Sequence, residues 1–123
     1  MFDFKGTAKK ATSDSVVMDG REKAMLETLA LAYPSGLTVI MCELAHTTDE
    51  SGVKEFSRVV FAEEPDKFVN GGSAFTKVVR AWSENFASTE EMNKALSESG
   101  GVKVKVSTTR LKNGNNYTVV TVI

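Results

Sequence analysis

The stretch from Ser73 to Phe86 constrains the fold of this chain most, because its apolar residues repeat with the period of an α-helix. Large apolar side chains fall at positions i, i+3, i+4, i+7 and i+11, namely Phe75, Val78, Val79, Trp82 and Phe86. That spacing places them on one face of a helix. Burying one large aromatic side chain removes roughly 150–250 Å² from water. We therefore expect this helix at the centre of the hydrophobic core.

Length and composition exclude several classes of protein. A chain of 123 residues has the size of one ordinary domain and can bury a core without disulfide or metal support. The single Cys excludes an intramolecular disulfide and a cysteine-based zinc site, and there is one His. We expect no metal and no cofactor. No apolar run approaches the roughly 20 residues that span a bilayer, and residues 1–14 lack a signal-peptide pattern. We expect a soluble, cytoplasmic protein.

Four segments have the alternating or β-branched apolar composition of strands: residues 37–44, 54–61, 102–109 and 117–123. The first two are predicted to form an antiparallel hairpin with a long loop. Asn113-Gly114 predicts the turn of a second hairpin. We therefore predict an α+β fold, in which two hairpins form a four-stranded, mostly antiparallel sheet packed by two to three helices in the order αββααββ.

Cap residues indicate where the helices begin. Asp19 is the predicted cap of a helix that ends near Ala32, and Ser73 is the predicted N-cap of the central helix. Ser88 and Glu91 have the spacing of a capping box, which predicts a short third helix after Ser88.

The remaining segments are predicted to be irregular. Residues 1–18 are mostly small and polar, and we expect a flexible N-terminal arm. Residues 19–123 would then form one α+β domain. Residues 63–72 contain Pro and three Gly or Asn residues and are predicted to be a loop.

Charge is segregated along the chain although the formal net charge is only −1. Residues 43–66 carry seven acidic and two basic residues, which gives −5, whereas residues 101–123 carry four basic residues and no acid, which gives +4. Such asymmetry can steer binding partners, although a solvated surface would account for it equally.

Candidates for chemistry are few. Cys42 and His46 are the only thiol and imidazole, but no third group is placed to orient the imidazole for a Cys–His dyad. Cys42 shares its strand face with apolar residues, so we expect it to be buried and inert. The turn Asn70-Gly71-Gly72-Ser73 lacks a phosphate-binding motif and is interpreted as a plain turn and cap. We therefore predict no enzymatic activity.

Three runs of sequence resemble small proteins encoded by phages and prophages of Gram-positive bacteria: FAEEPDKFVNGGSAFTKVVRAW, SGGVKVKV and KNGNNYTVV. The resemblance covers roughly Asp19 to Ile123. It implies a location in the cytoplasm of a bacterial host. The function of such proteins is generally unassigned, so the resemblance implies no catalytic or binding residue.

The first functional hypothesis is a small, non-catalytic binding protein that acts by contact with another protein. One concrete form, if the protein is phage-derived, is an anti-defence inhibitor whose acidic face imitates nucleic acid. The residues predicted to form that face are Glu55, Glu63, Glu64 and Asp66.

The alternative hypothesis is an accessory protein that binds single-stranded nucleic acid through a basic C-terminal hairpin. Basic groups beside an aromatic ring are typical of such surfaces. The predicted contacts are Lys103, Lys105, Arg110, Lys112 and Tyr117. A third possibility is self-assembly into a homo-oligomer through the exposed edges of the two hairpins. No membrane partner is expected.

Overall fold

The computed structural model describes residues 1–12, 20–110 and 116–123, with side chains left out at 20–25, 73–74, 108–110 and 116–118. The elements follow the order α1 (Phe4–Ala11), α2 (Gly20–Ala32), β1 (Leu37–Asp49), β2 (Gly52–Phe61), β3 (Glu64–Asn70), α3 (Gly72–Ser83), α4 (Thr89–Glu98), β4 (Val102–Arg110) and β5 (Asn116–Val122).

The strands form one five-stranded sheet in the order β3-β2-β1-β4-β5, in which every pairing is antiparallel. The strand pairing of both predicted hairpins is confirmed as β1–β2 and β4–β5, and the predicted α+β class is confirmed with it. The predicted turn Asn113-Gly114 lies outside the described residues. The number of elements was underestimated, since the described residues contain five strands and four helices.

The unpredicted fifth strand is β3, which occupies most of the predicted loop 63–72. Pro65, Asp66 and Lys67 are poor strand formers, which is why the sequence favoured a loop. An edge strand tolerates Pro because one side of its backbone needs no partner, and it benefits from charged residues that discourage pairing with other chains. Val69 fixes the strand in place, since it is fully buried opposite Val59 of β2.

The predicted flexible arm contains helix α1 instead, at Phe4–Ala11. Asp3 caps this helix, because its side chain accepts a hydrogen bond from the backbone N–H of Gly6 at 2.9 Å. Phe4 is buried in the core, and Trp82 Nε1 donates to the backbone oxygen of Phe4 at 2.9 Å. This tertiary bond to α3 holds a helix too short to be stable alone. Residues 13–19, including the predicted cap Asp19, lie outside the described residues.

Helix α3 is the centre of the core, as the apolar stripe predicted. Phe75, Val78, Val79 and Trp82 are all buried. Two details differ. The helix is capped by Gly71 instead of Ser73, and it ends at Ser83, so Phe86 packs against the core from beyond the helix. The capping box of α4 is confirmed, since Ser88 Oγ accepts from the backbone N–H of Glu91 at 3.2 Å.

The helices cover one face of the sheet, which we call the inner face. Buried residues from all four described helices join one core cluster with inner-face strand residues. Along β4, Val102, Val104 and Val106 are buried, while Lys103 and Lys105 between them are exposed. The opposite, outer face therefore lacks a helical cover in the described part of the chain.

The middle strand β1 changes neighbours along its length. It pairs with β4 only from Leu37 to Val39, while it pairs with β2 as far as Asp49. Where β4 diverges, the Asn93 side chain of α4 takes its place. Asn93 Oδ1 accepts from the backbone N–H of Cys42, and Asn93 Nδ2 donates to the backbone oxygen of Cys42, both at 2.9 Å. One amide side chain thus completes the hydrogen bonding of a strand edge.

Candidate functional site

Two of the predicted acidic residues hold the fold together at the start of β1. Glu63 Oε1 accepts from the backbone N–H of Thr38 at 2.6 Å. Tyr33 donates its hydroxyl to the backbone oxygen of Glu63 at 3.1 Å and lies 3.4 Å from Glu64 Oε1. Partial desolvation raises the pKa of Tyr33, and the charge and hydrogen bond of Glu64 raise it further. The Glu63 carboxylate thus fixes the start of β1, and the Glu64 carboxylate fixes Tyr33, which directly follows α2.

The other predicted acidic residues lie elsewhere. Glu55 is near the opposite end of β2, six residues from Phe61, which pairs with Glu64. Six residues of strand span about 20 Å. Asp66 is exposed on β3. The structure therefore does not bring the four predicted carboxylates together on one surface.

Glu55 is the centre of a small ionic cluster. It pairs with both Arg80 Nη2 and Arg80 Nε, the latter at 2.6 Å, and its second oxygen lies 3.2 Å from His46 Nε2. All three groups are partly exposed, so each pair contributes little to stability. The cluster joins α3 to the distal half of the β1–β2 hairpin.

The predicted basic residues are only partly described. Lys103 and Lys105 are exposed on the outer face, opposite Thr38 of β1 and Thr121 of β5 respectively. The side chains of Arg110 and Tyr117 lie outside the described part of the structure, and so does the whole of Lys112.

Cys42 and His46 do not form a catalytic pair. Cys42 is fully buried, and this burial raises the pKa of its thiol from an ordinary value of 9.0 to about 12. His46 lies four residues further along the strand, about 13 Å away, and contacts Glu55. Among the described residues, no three His, Cys, Asp or Glu side chains are grouped so that they could hold a metal ion.

An apolar row crosses the outer face and was not predicted. Met41 of β1 pairs with Val60 of β2. On β3, Phe68 precedes the buried Val69, which pairs with Val59, so strand alternation directs Phe68 to the outer face. Met41 is 43% and Phe68 55% exposed, whereas Val60 between them is buried at 4%. The row was missed because Phe68 lay in a predicted loop.

Charged residues border this row. Arg58 lies with its guanidinium carbon 5.5 Å from the centre of the Phe56 ring, and Arg58 Nη1 lies 3.6 Å from Glu43 Oε1. Lys103 lies two strands away from Val60, on β4. The outer face therefore combines an exposed apolar centre with a mixed-charge border. Such an arrangement can bind a ligand.

Comparison with known proteins leaves this geometry as the main source of functional inference. No protein-family model, curated protein or solved structure matches the chain. None of the helices in the described residues combines the length and apolar character needed to span a membrane.

Proposed function

We propose that the chain is a non-catalytic binding protein that contacts another protein through the outer face of its sheet. The observation that supports this proposal is the row of Met41, Val60 and Phe68 on the face that none of the described helices covers. Aromatic, Met and Arg side chains are enriched in protein interfaces, which have an apolar centre and a polar rim. Phe68 and Met41 match such a centre, and Arg58 and Lys103 match such a rim.

Phe68 is the expected anchor of this interface. Phe68 is more than half exposed, so a partner can enclose its ring without moving the core. Interface anchors of this kind cost about 2 kcal/mol or more when truncated, which corresponds to roughly thirtyfold weaker binding.

The test is affinity capture from the lysate of a bacterial host, with the Phe68→Lys variant beside the wild type. The matched control is Leu31→Lys, which changes another exposed apolar residue, on α2. Proteins retained by the wild type and by Leu31→Lys should be lost with Phe68→Lys. If the three baits retain the same proteins, the outer face is not the contact surface. Light scattering identifies the case in which the partner is a second copy of the chain.

An anti-defence inhibitor is one form that this binding function can take. A nucleic-acid mimic, however, would need its carboxylates on one surface. Glu63 and Glu64 are engaged with Thr38 and Tyr33, and Glu55 lies about 20 Å away along β2. The proposal therefore rests on the outer face and not on the acidic segment.

A second candidate function is the binding of single-stranded nucleic acid. The observation that favours it is the position of Lys103 and Lys105 on the same face as the exposed Phe68 ring. An open sheet that presents basic and aromatic side chains can bind phosphates and stack bases.

Fluorescence anisotropy with a labelled single-stranded oligonucleotide tests this candidate at low and moderate salt. Binding should weaken steeply with salt, because phosphate contacts release counterions. The double variant Lys103→Glu/Lys105→Glu should abolish binding, and Lys94→Glu on α4 should not. An absence of binding at low salt eliminates the candidate.

A further inference from the structure

The strand β2 continues beyond its neighbour β3 and leaves part of its edge unpaired. The two strands pair only between Arg58 and Phe61 of β2, because the chain turns into α3 after Asn70. The last bond along this edge runs from the backbone N–H of Gly71 to the backbone oxygen of Ser57, at 2.9 Å.

The backbone groups next along this edge are those of Val53 and Glu55. In an antiparallel ladder, alternate residues direct their N–H and C=O groups to the same side, so these two residues share the direction of Ser57. No strand or loop of the described residues pairs with them. Four to five residues of strand edge, about 13–17 Å long, are therefore open to an added strand.

Two cavities lie on opposite sides of this open edge. The inner one has a volume of about 290 Å³ and lies between Glu55 and the α3 residues Thr76, Lys77 and Arg80. The outer one has a volume of about 260 Å³ and is lined by Thr47 and Lys54. Both are also bordered by Glu55, Phe56 and Asn70, which places the two cavities next to each other along this edge.

The positions of these cavities match the geometry of an extended chain. Successive side chains of a strand point to opposite faces of its sheet. A strand added beside Val53 and Glu55 would thus direct one side chain into the inner cavity and the next into the outer cavity. Peptide-binding domains that extend a sheet obtain affinity from the backbone bonds and specificity from such alternate cavities.

The charge around the cavities favours an acidic ligand. Three cations line them, namely Lys54, Lys77 and Arg80. The one acid that lines them, Glu55, is paired with Arg80, and Lys54 lies 3.4 Å from Asp49. Lys77 is exposed and has no ion-pair partner among the described residues. A carboxylate that enters the inner cavity would therefore meet an unneutralised ammonium group.

We propose that the open edge of β2 binds an extended acidic segment of another protein by strand addition, with a carboxylate side chain beside Lys77 in the inner cavity. This site is separate from the outer-face row that carries the proposed function. The ligand would be recognised through backbone hydrogen bonds and charge and not through apolar contact.

The test uses fluorescein-labelled peptides in which valine alternates with glutamate, measured by fluorescence anisotropy at low salt. A valine–lysine peptide tests the charge requirement. A valine–glutamate peptide with alternate backbone amides methylated tests the need for strand hydrogen bonds. The acidic peptide should bind, and each control peptide should bind about tenfold more weakly or worse, since like charges and lost ladder bonds oppose addition.

Variants of the protein locate the site. Lys77→Glu should weaken binding of the acidic peptide about tenfold or more, whereas Lys94→Glu should leave it unchanged because Lys94 lies on α4. Phe68→Lys should also leave it unchanged, which separates this site from the outer face. Amide resonances of Val53 and Glu55 should shift on titration.

Three results would overturn the proposal. The first is no binding of the acidic peptide at about 1 mM, the affinity of a very weak complex. The second is equal binding of the acidic and lysine peptides. The third is an acidic peptide that binds Lys77→Glu as tightly as the wild type.

Discussion

Replacement of Phe4 by Ala tests whether α1 is part of the folded core. The Phe4 ring is 3% exposed and contacts three other rings. Its centre lies 4.8 Å from that of Phe2, 5.3 Å from Trp82 and 5.7 Å from Phe86. The hydrogen bond from Trp82 Nε1 ends on the backbone oxygen of Phe4, so the substitution removes the ring and keeps the acceptor.

The expected loss follows from these contacts. Burying a Phe side chain contributes about 1.5–3 kcal/mol, and each aromatic pair adds about 0.5–1.5 kcal/mol. Measured Phe→Ala substitutions in protein cores cost about 3–5 kcal/mol, and we expect Phe4→Ala to fall in this range. Because whole domains are stable by about 5–15 kcal/mol, this is a large share of the total.

Urea unfolding followed by the fluorescence of Trp82 measures this loss. With a slope of about 1–3 kcal/mol per molar urea, a loss of about 3–5 kcal/mol should lower the midpoint by about 1–5 M. The matched control is Lys5→Ala, the neighbouring exposed position of α1, which should shift the midpoint very little. A change below about 0.5 kcal/mol for Phe4→Ala, typical of a surface substitution, would show that α1 is not docked on the core. It would instead support the expectation of a flexible N-terminal arm.

Three further changes test other parts of the structure. Asn93→Leu should lower the free energy of unfolding by about 2–3 kcal/mol in urea titrations, because it leaves both backbone groups of Cys42 without partners; a loss no larger than that of Lys94→Leu would contradict this. Ser88→Ala should lower it by about 1 kcal/mol through loss of the α4 cap, and an unchanged midpoint would show that the cap is dispensable. Cys42 should react with a thiol reagent at pH 8 only after denaturation, and rapid labelling of the native protein would show that the thiol is accessible. Folding raises the pKa of the Cys42 thiol from 9.0 to about 12. The contribution of this thiol to the free energy of unfolding is therefore complete below pH 9 and is lost as the pH rises toward 12, by up to about 1.4 kcal/mol per pH unit. A Cys42→Ala variant should show a shallower decline of stability over that range.

Patterns that depend on local periodicity predicted the fold well. The apolar stripe of α3 and the alternation in β4 report directly which side chains face the core, and the structure agrees with both. The hairpin from residue 37 to 61 was also correct, although its strands extend to Asp49 and from Gly52, so the loop is much tighter than expected. Polar residues at the end of a hairpin can belong to strands that face solvent on both sides.

Elements whose stability comes from distant contacts were missed. Helix α1 has a single large apolar side chain, Phe4, and its burial depends on Trp82, which lies 78 residues away. Strand β3 has an unfavourable composition and exists because Val69 packs beside Val59. Ser73 was preferred as a cap on intrinsic grounds, but Gly71 is the cap because its backbone N–H also bonds to Ser57. Tertiary contacts decide such positions, and a single sequence does not display them.

For the candidate surfaces too, features set by local alternation were predicted and features set by contacts between strands were not. Lys103 and Lys105 were placed on an exposed strand face by alternation alone. The apolar row could not be assembled from the sequence, because it joins Met41, Val60 and Phe68 from three strands. The four carboxylates predicted to form one acidic face do not share a surface, for a related reason. Residues close in sequence need not lie on one face, and Glu55 is separated from Glu63 by most of β2.

The bond between Trp82 and Phe4 also has a consequence for the order of folding. Closing a loop of this length costs about 4 kcal/mol of chain entropy, and α1 cannot dock until α3 exists. At a synthesis rate of about 5–20 residues per second, roughly 4–16 s separate the appearance of Phe4 from that of Trp82 on the ribosome. During that interval the Phe4 side chain of α1 lacks the Trp82 ring against which it packs. Completion of the core therefore requires the first helix of the chain to dock late.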